Sequence, residues 1–359
     1  MFKKFIRFSK IGQFRNIIHD VKHVAQFTGE IGEDGNPIMD RNAKLPVITF
    51  NGTVKLHGTN AGVAFNSDGE MWVQSRQNII TPEHDNAGFA FFATTHKEAF
   101  EEINDTLRME NDLTNKTIVI FGEWCGGNIQ KGVAISGLEK MFVIFAIKVV
   151  DEFTEEVPSY YLETDKWKHL FNLGSDYNIY NINNYDSFSI EVDFNDPSVA
   201  QNKMVELVEQ VEKECPVGKA FGRKLDTEDD TTGEGIVWVG WYEGNRYVFK
   251  TKGDKHSTSK VKVIAPIDTE KLNSVNEFVE YAVTENRLNQ GIEQVFTISG
   301  ETPEVSKTGN FLKWIVNDVI SEELDTLVDN GLEPKDVTKA ISGVARKWYF
   351  DKLDEISGL

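Results

Sequence analysis

The residues with the clearest chemical potential form one short run, Lys55-Leu56-His57-Gly58-Thr59-Asn60. Lys55 ends a β-type segment that starts at Val47, and a glycine-containing turn follows at once. A lysine in this position can project into a cleft and, once its amine is neutral, act as a nucleophile. Taken alone, the pattern K-x-x-G is common and also fits a surface lysine before a hairpin.

Further signals follow Lys55 in chain order, each at the end or the start of a strand-like segment. They are Phe121-Gly122-Glu123, the aromatic run Phe142 to Lys148, Glu234-Gly235-Ile236-Val237 and Lys250-Thr251-Lys252. Alternate residues of a strand share a face, so the K-x-K spacing predicts that both of its lysines point into one pocket.

Each signal also has a simpler interpretation. Phe145 fits a core aromatic as well as a base-stacking surface, and Glu123 and Glu234 fit ordinary exposed acids at strand ends. The sequence has no phosphate-binding G-x-x-x-x-G-K-[ST] loop, no G-x-S-x-G element and no zinc-type Cys/His spacing. Its two cysteines, Cys125 and Cys215, cannot build a disulfide framework, which predicts a reducing compartment.

The ordered set resembles the covalent nucleotidyltransferase superfamily of RNA ligases, DNA ligases and mRNA capping enzymes. The motifs of that superfamily read K-x-[DH]-G-x-[NR], S-R, [FY]-G-E, an aromatic strand, E-G-[IVLY]-[VL] and K-x-K. The chain is most similar to the phage-type RNA ligase 2 family, which shares the form K-x-H-G-T-N, the opening MFKKF and the extension of the third motif to Gln130. The resemblance covers the chain from Met1 to about Lys262.

The resemblance implies an α+β fold in two parts. Residues 1–265 would form a nucleotidyltransferase domain built on antiparallel sheets, an ATP-grasp-like ligase fold. Residues 266–359 would form a smaller helical C-terminal domain that binds RNA.

The resemblance also implies an activity. It is that of an ATP-dependent RNA ligase that joins 5′-phosphate and 3′-OH ends through a lysyl–AMP and an adenylylated RNA, with Mg²⁺ or Mn²⁺. The implied partners are RNA ends, including those at a nick in a duplex, and the implied role is RNA repair. We expect a monomer without a membrane partner in the cytoplasm, that of the host if a phage encodes the chain.

The resemblance assigns the catalytic roles to three lysines and two acids. Lys55 would be the nucleophile, and Lys250 and Lys252 would surround its amine and the phosphates with positive charge. Like charges favour the neutral amine that the attack requires. Glu123 would bind a ribose hydroxyl of the nucleotide and help to place the metal, and Glu234 would contact the metal or the reactive lysine at the nucleotide.

Five further residues are implied to bind the nucleotide or the RNA end. Phe145 would stack on adenine, and Arg76 would hold the ribose or the 5′-phosphate of the second substrate. His57 and Asn60 would serve later steps or the shape of the pocket. Lys219 is a weaker candidate for a phosphate contact.

Two alternatives stay open at this stage. A DNA ligase or a capping guanylyltransferase should carry a β-rich OB-type module after the K-x-K motif, whereas this chain has helical patterns there. A catalytically silent nucleic-acid-binding protein on the same scaffold would have no reason to retain Lys55 together with its acids and lysines.

The elements that must position these residues are short strands rich in β-branched and aromatic residues. They are predicted at 47–50, 71–75, 118–122, 142–149, 236–239 and 246–250. The last two flank a turn around Glu243-Gly244 and therefore predict a hairpin, and residues 199–213 predict a helix.

The C-terminal part of the sequence has a helical character. Thr302-Pro303-Glu304 predicts a helix start, and Asn330-Gly331 predicts its end. A last helix is predicted over 335–355, and we place a domain boundary near residue 265. The residues of that last helix predicted to face a core are Ile341, Val344, Ala345, Trp348 and Leu353.

Composition excludes several classes of protein. Hydrophobic residues make up 40% and charged residues 26% of the 359 residues, which is typical of a folded globular protein. No apolar run reaches the length of a membrane span, and the basic start lacks the apolar stretch of a secretory signal.

The net charge of −19 argues against a general nucleic-acid coat protein. The segment from Arg246 to Lys262 departs from that acidic balance, because it contains six basic residues and a single acid, Asp254.

Overall fold

Antiparallel strands, the helices that cover them and a set of C-terminal helices make up the fold. The computed structural model describes residues 3–152, 159–169, 174–223, 231–253, 275–297, 300–329 and 331–357. The strands are β1 (Phe27–Ile31), β2 (Pro37–Met39), β3 (Val47–Val54), β4 (Gly58–Phe65), β5 (Met71–Ser75), β6 (Ile79–Ile80), β7 (Lys116–Cys125), β8 (Met141–Asp151), β9 (Ser159–Tyr161), β10 (Ile179–Asn181), β11 (Phe188–Asp193), β12 (Gly235–Tyr242) and β13 (Asn245–Lys252). The α-helices are α1 (Phe14–Gln26), α2 (Phe89–Thr95), α3 (Lys97–Asn111), α4 (Gly174–Tyr177), α5 (Ser198–Lys213), α6 (Pro216–Ala220), α7 (Val275–Ala282), α8 (Glu285–Ile292), α9 (Thr308–Asp329) and α10 (Pro334–Ser357).

The larger sheet has the strand order β10-β8-β7-β4-β5-β6, and β9 also pairs with β8. Its pairings are antiparallel except that between β10 and β8. Strands β7 and β8 are apolar on both faces because both faces are covered. Helices α2 and α3 pack on one face, and Ile6 and Phe8 pack on the other.

The smaller sheet has the order β11-β3-β12-β13. The predicted hairpin joins β12 to β13 through Glu243 and Gly244, whose φ angles of 48° and 76° are both positive. Positive φ at both turn residues is the type I′ geometry that matches the twist of a two-stranded ribbon. All six predicted strands exist, and most extend further than the sequence pattern indicated.

The C-terminal helices α7 to α10 share one hydrophobic core, whose centre includes Phe278, Phe311, Ile315, Ile341 and Tyr349. The predicted last helix is present as Pro334–Ser357. Val344 was expected to face this core but is 45% exposed, because Ile341, Ala345 and Tyr349 occupy the row that packs inward.

The helix start predicted at Thr302 is wrong. Helix α9 begins at Thr308, after a 3₁₀ turn at Val305–Lys307. The hydroxyl of Tyr349 accepts a hydrogen bond from the Glu304 N–H (3.1 Å) and donates one to the Glu304 carbonyl (3.0 Å). These two bonds hold Glu304 in an extended conformation, so the helix cannot start there.

The chain divides into two compact units. The first comprises Met1–Gln13, Val47–Val192 and Glu209–Lys250, and the second comprises Phe14–Pro46, Asp193–Val208 and Thr251–Leu359. The boundary predicted near residue 265 lies outside the described residues. Both cysteines are buried and free. None of the helices in the described part of the chain has the length and apolar character that a membrane span requires.

Candidate active site

Lys55 lies directly after β3 and is paired with the start of β12. Its backbone N–H donates to the carbonyl of Gly235 at 2.8 Å, which continues the β3–β12 ladder by one residue. This pairing brings Glu234 beside Lys55, and Nζ of the lysine lies 2.6 Å from Oε2 of the glutamate. The Lys55 side chain is 21% exposed and that of Glu234 is 2% exposed. The lysine side chain is therefore partly exposed, whereas its partner is buried.

The same carboxylate oxygen also contacts His57, whose Nδ1 lies 3.1 Å away. Two groups of the K-x-x-G run thus converge on one buried acid. The ring reaches this position because the chain turns sharply between β3 and β4.

Gly58 makes that turn possible by its close approach to β7. A side-chain carbon at this position would clash with the carbonyl oxygen of Trp124 and lie 2.7 Å from Cβ of Cys125. The Gly58 N–H donates to Oε1 of Glu123 at 3.0 Å, and its carbonyl accepts from Nε2 of Gln130 at 2.7 Å. The glycine therefore ties the lysine run to the Phe121-Gly122-Glu123 strand end.

The electrostatic environment of Glu123 links the two acids with the lysine. The pKa of Glu123 is raised to about 7, chiefly by burial and in part by the nearby negative charge of Glu234. The positive charge of Lys55 and the hydrogen bond from Gly58 act in the opposite direction. Glu123 can therefore exchange a proton near neutral pH, which is unusual for a carboxyl group.

Asn60 lies opposite Glu123 in the β4–β7 ladder, and directly opposed residues share a face of the sheet. Its side-chain oxygen Oδ1 is buried and forms no hydrogen bond with any described residue. A buried polar atom without a partner is costly, so this oxygen is a natural contact point for a ligand.

The side-chain oxygens of Glu123, Glu234 and Asn60 fit a hard divalent cation that takes most of its ligands from substrate and water. No group of three or more His, Cys, Asp or Glu side chains within the described residues is placed to hold a metal by itself. Mg²⁺ and similar ions are commonly bound by one or two carboxylates together with substrate phosphates and water. Glu123 and Glu234 supply carboxylates of this kind.

Lys250 and Lys252 lie on the same face of the smaller sheet as Lys55. The alternating burial of β13 places Tyr247 and Phe249 on the buried face and both lysines on the other. The Phe249 ring lies 5.2 Å from that of Phe50, which belongs to the buried face of β3. Because Lys55 is five residues from Phe50, it falls on the opposite face, with the two lysines of β13.

Phe145 lies at an irregularity in the larger sheet. Residue pairing between β7 and β8 passes from Phe121↔Ala146 to Gly122↔Ile144, which leaves Phe145 as the extra residue of a β-bulge. Its ring is partly exposed and lies 5.2 Å from the ring of Phe8.

Arg76 and Lys219 lie on exposed surface. Arg76 is in a tight turn after β5, where the Ser75 N–H donates to the Asn78 carbonyl at 2.8 Å. Lys219 is on α6, and its ammonium pairs with Glu214 at 2.8 Å.

A comparison with protein-family models decides the family. The model described as RNA ligase matches residues 48–252, which is more than half of the chain. The chain belongs to the RNA ligase family. The matched residues include all the candidate site residues from Lys55 to Lys252. No curated protein matches the sequence.

Solved structures of RNA ligases are similar to parts of this RNA ligase family chain. A Naegleria gruberi RNA ligase with pyrophosphate has 16% identity and a TM-score of 0.41 over 70% of this chain and 57% of its own. A mutant of the same ligase with ATP and Mn gives the same values. An archaeal ATP-dependent RNA ligase has 14% identity and a TM-score of 0.38 over 90% of this chain and 65% of its own. The chain thus spans less than two thirds of the length of these ligases.

The structure of this RNA ligase family member brings together some of the predicted residues. Direct contacts join Lys55, His57 and Glu234, and Gly58 joins this group to Glu123. Asn60 joins them by strand register, and the K-x-K lysines lie on the same sheet face as Lys55.

Sequence reasoning assigned no role to Gln130, although it lies at the end of the extended third motif. Its amide supports Gly58, which holds the motif in place. Sequence reasoning also assigned no role to Gln74, which is buried in the structure. The signal that could have indicated it is a glutamine within the apolar strand β5.

Proposed function

We propose that this chain is an ATP-dependent RNA ligase that seals 5′-phosphate and 3′-OH RNA ends. The observation that carries the proposal is the placement of Lys55. Its amine lies 2.6 Å from the buried Glu234 carboxylate, inside the segment that matches the family. A strand-end lysine whose amine is held in this way is poised for covalent catalysis.

In the first step, the Lys55 amine attacks the α-phosphorus of ATP. A nitrogen–phosphorus bond forms, the bond from the α-phosphorus to the bridging oxygen breaks, and pyrophosphate leaves. The product is a lysyl–AMP, and the amine gives up a proton in forming it.

The adjacent Glu234 carboxylate favours the charged form of the Lys55 amine. For a lysine at its ordinary pKa, the neutral form costs about 4.6 kcal/mol at pH 7. Positive charge from Lys250 and Lys252 on the same face offsets part of this cost. Separation of Lys55 from Glu234 is therefore part of activation.

Glu123 and Glu234 would hold the divalent metal, which would supply positive charge to the triphosphate when bound. The Glu123 carboxylate also reaches the ribose hydroxyls in this proposal. Asn60, whose side-chain oxygen is buried without a partner among the described residues, would contact the substrate on the same sheet face.

The remaining residues act on the base and on the RNA end. Phe145 stacks on adenine, and its position in a bulge turns it out of the regular ladder. Arg76, exposed at the turn after β5, holds the 5′-phosphate. His57 positions Glu234 in the later steps. Lys219 retains at most a peripheral phosphate contact, since it is paired with Glu214 on the surface.

In the second step, an oxygen of the RNA 5′-phosphate attacks the AMP phosphorus, the nitrogen–phosphorus bond breaks and Lys55 is regenerated. In the third step, the 3′-OH attacks the 5′-phosphorus of the adenylylated RNA, and AMP leaves. We further propose that the helical C-terminal region 266–359 holds the RNA, including a nicked duplex, and that the protein acts as a cytoplasmic monomer.

The test is an intact mass after incubation with ATP and Mg²⁺. We expect an increase of about 329 Da, the mass of one AMP, that is lost in Lys55→Ala. Lys203→Ala is the matched control, because Lys203 is exposed on α5 and pairs with the neighbouring Glu206 in a surface contact. The control should gain the full mass increase.

Nucleotide and end specificity separate the alternatives. An adduct with GTP alone would indicate a capping enzyme, and sealing of DNA but not RNA ends would indicate a DNA ligase. RNA binding that survives in Lys55→Ala while the wild-type protein forms no adduct would indicate a silent binding protein.

A further inference from the structure

The segment Ile6–Gly12, called the N-terminal strap below, crosses the face of the larger sheet that carries Glu123. One buried side chain holds its start. The Ile6 N–H donates to Oε1 of Gln74 at 3.2 Å, and Nε2 of Gln74 donates to the Ile6 carbonyl at 2.6 Å. Gln74 is almost completely buried, so these two bonds are made away from water and fix the strap firmly.

The end of the strap pairs with the edge of the smaller sheet. The Gly12 N–H donates to the Val248 carbonyl at 3.3 Å, and the Lys250 N–H donates to the Gly12 carbonyl at 3.2 Å. The strap therefore extends the β13 edge at Lys250, one of the two candidate catalytic lysines of that strand. The Ser9 N–H donates to the Tyr161 hydroxyl at 2.8 Å and fixes the middle of the strap.

Phe8 is the side chain that the strap places on the sheet face. Its ring centroid lies 5.0 Å from that of Phe121 and 5.2 Å from that of Phe145. Phe121 precedes Glu123 by two residues on β7, so these two side chains share a face. Phe8 therefore packs on the same face as the candidate site.

The contact between Phe8 and Phe145 is T-shaped, with an angle of 69° between the ring planes. Phe145 is the extra residue of the bulge and lacks a directly opposed partner on β7 that would orient it. A T-shaped neighbour restricts rotation of the Phe145 ring. Both rings also remain partly exposed, which a purely structural core contact would not require.

We propose that Phe8 is a positioning residue for the nucleotide base: it orients the Phe145 ring that stacks on the adenine of ATP. The inference rests on the proposed function, because it needs Phe145 to be the base platform. It assigns the strap a role in binding ATP that is separate from the chemistry at Lys55.

The experiment measures lysyl–AMP formation in single turnover as a function of ATP concentration. Phe8→Ala should raise the ATP concentration for half-maximal rate about 3- to 10-fold, the range expected for the loss of one aromatic pair, with the maximal rate nearly unchanged. Phe8→Tyr keeps the ring and should restore the wild-type value. Phe91→Ala is the control, since Phe91 is 66% exposed on α2, and it should change neither quantity.

A second variant tests the strap without touching the ring. Gln74→Met keeps most of the buried volume and removes both bonds to Ile6. It should weaken ATP binding in the same direction as Phe8→Ala. If Phe8→Ala does not fold, Phe8→Leu takes its place, and a raised ATP requirement in Leu but not in Tyr supports the inference.

The outcomes separate this inference from the proposed function. A wild-type protein that forms no lysyl–AMP contradicts the proposed function itself. A wild-type protein that reacts, together with a Phe8→Ala or Phe8→Leu variant whose ATP requirement is unchanged, overturns only the role of Phe8. The same holds if the maximal rate falls while the ATP requirement stays constant.

Discussion

At the scale of single residues, the site is a set of charges that constrain one another. Glu234 is buried and receives both Lys55 and His57 on one oxygen. Glu123 is held near neutral pKa by burial and by the negative charge of Glu234. Strongly shifted pKa values cluster at functional sites.

The raised pKa of Glu123 predicts a pH dependence of stability. A carboxyl group with a folded-state pKa of about 7 and an ordinary unfolded-state pKa binds its proton more tightly when folded. The free energy of unfolding should therefore fall as pH rises from about 4.5 to about 7 and then level off, by roughly 3 kcal/mol from this group. Glu123→Gln should remove this component, as measured by urea unfolding across that range. Glu191→Gln, on the exposed side of β11, is the control. Parallel pH profiles for wild type and Glu123→Gln would show that the shift is absent.

At the scale of elements, the turn between β3 and β4 determines whether the site assembles. Gly58 is the point where the lysine run meets β7, and it has no room for a side chain. The register of β4 on β7 then places Asn60 against Glu123. One glycine thus sets the position of residues from two motifs.

We expect Gly58→Ala to lower the free energy of unfolding by about 1–3 kcal/mol, because the added methyl group meets backbone atoms of β7 that cannot move aside. Lysyl–AMP formation should be lost as well, since the contact between Gly58 and Glu123 is displaced. Gly343→Ala is the matched control, because Gly343 lies in α10 with nothing close to a new methyl group. It should be neutral or slightly stabilising. Equal effects of the two substitutions on unfolding would refute the steric argument.

At the scale of the whole molecule, each unit has its own interior, and that of the second unit includes a buried ion pair. Glu323, at a kink in α9, accepts from Arg287 at 3.2 Å and from the Tyr281 hydroxyl at 3.0 Å. Arg15 of α1 lies 3.4 Å from the same carboxylate. The buried carboxylate therefore connects α1, α7, α8 and α9.

Removing one partner of a buried pair leaves the other charge without compensation. We expect Glu323→Ala to lower the free energy of unfolding by about 3–5 kcal/mol, measured by thermal or denaturant unfolding. Glu355→Ala removes a surface partner of Lys352 and should cost at most about 1 kcal/mol. A loss at Glu323 no larger than that at Glu355 would mean that the buried pair contributes little.

The sequence alone determined the local features of this protein. The strands, the hairpin and the common face of Lys250 and Lys252 follow from residue type and period, which act over a few neighbours. The order of the motifs also indicates the RNA ligase family, and the family match confirms it.

Only the tertiary structure decided which distant groups meet. Lys55 and Glu234 are 179 residues apart, and the sequence left open whether the glutamate contacts the reactive lysine or the metal. The same is true of Phe8 on Phe145 and of Tyr349, which holds Glu304 extended against a good helix-start signal. Such contacts depend on strand register and on the packing of elements far apart in the chain, and local pattern carries no information about either.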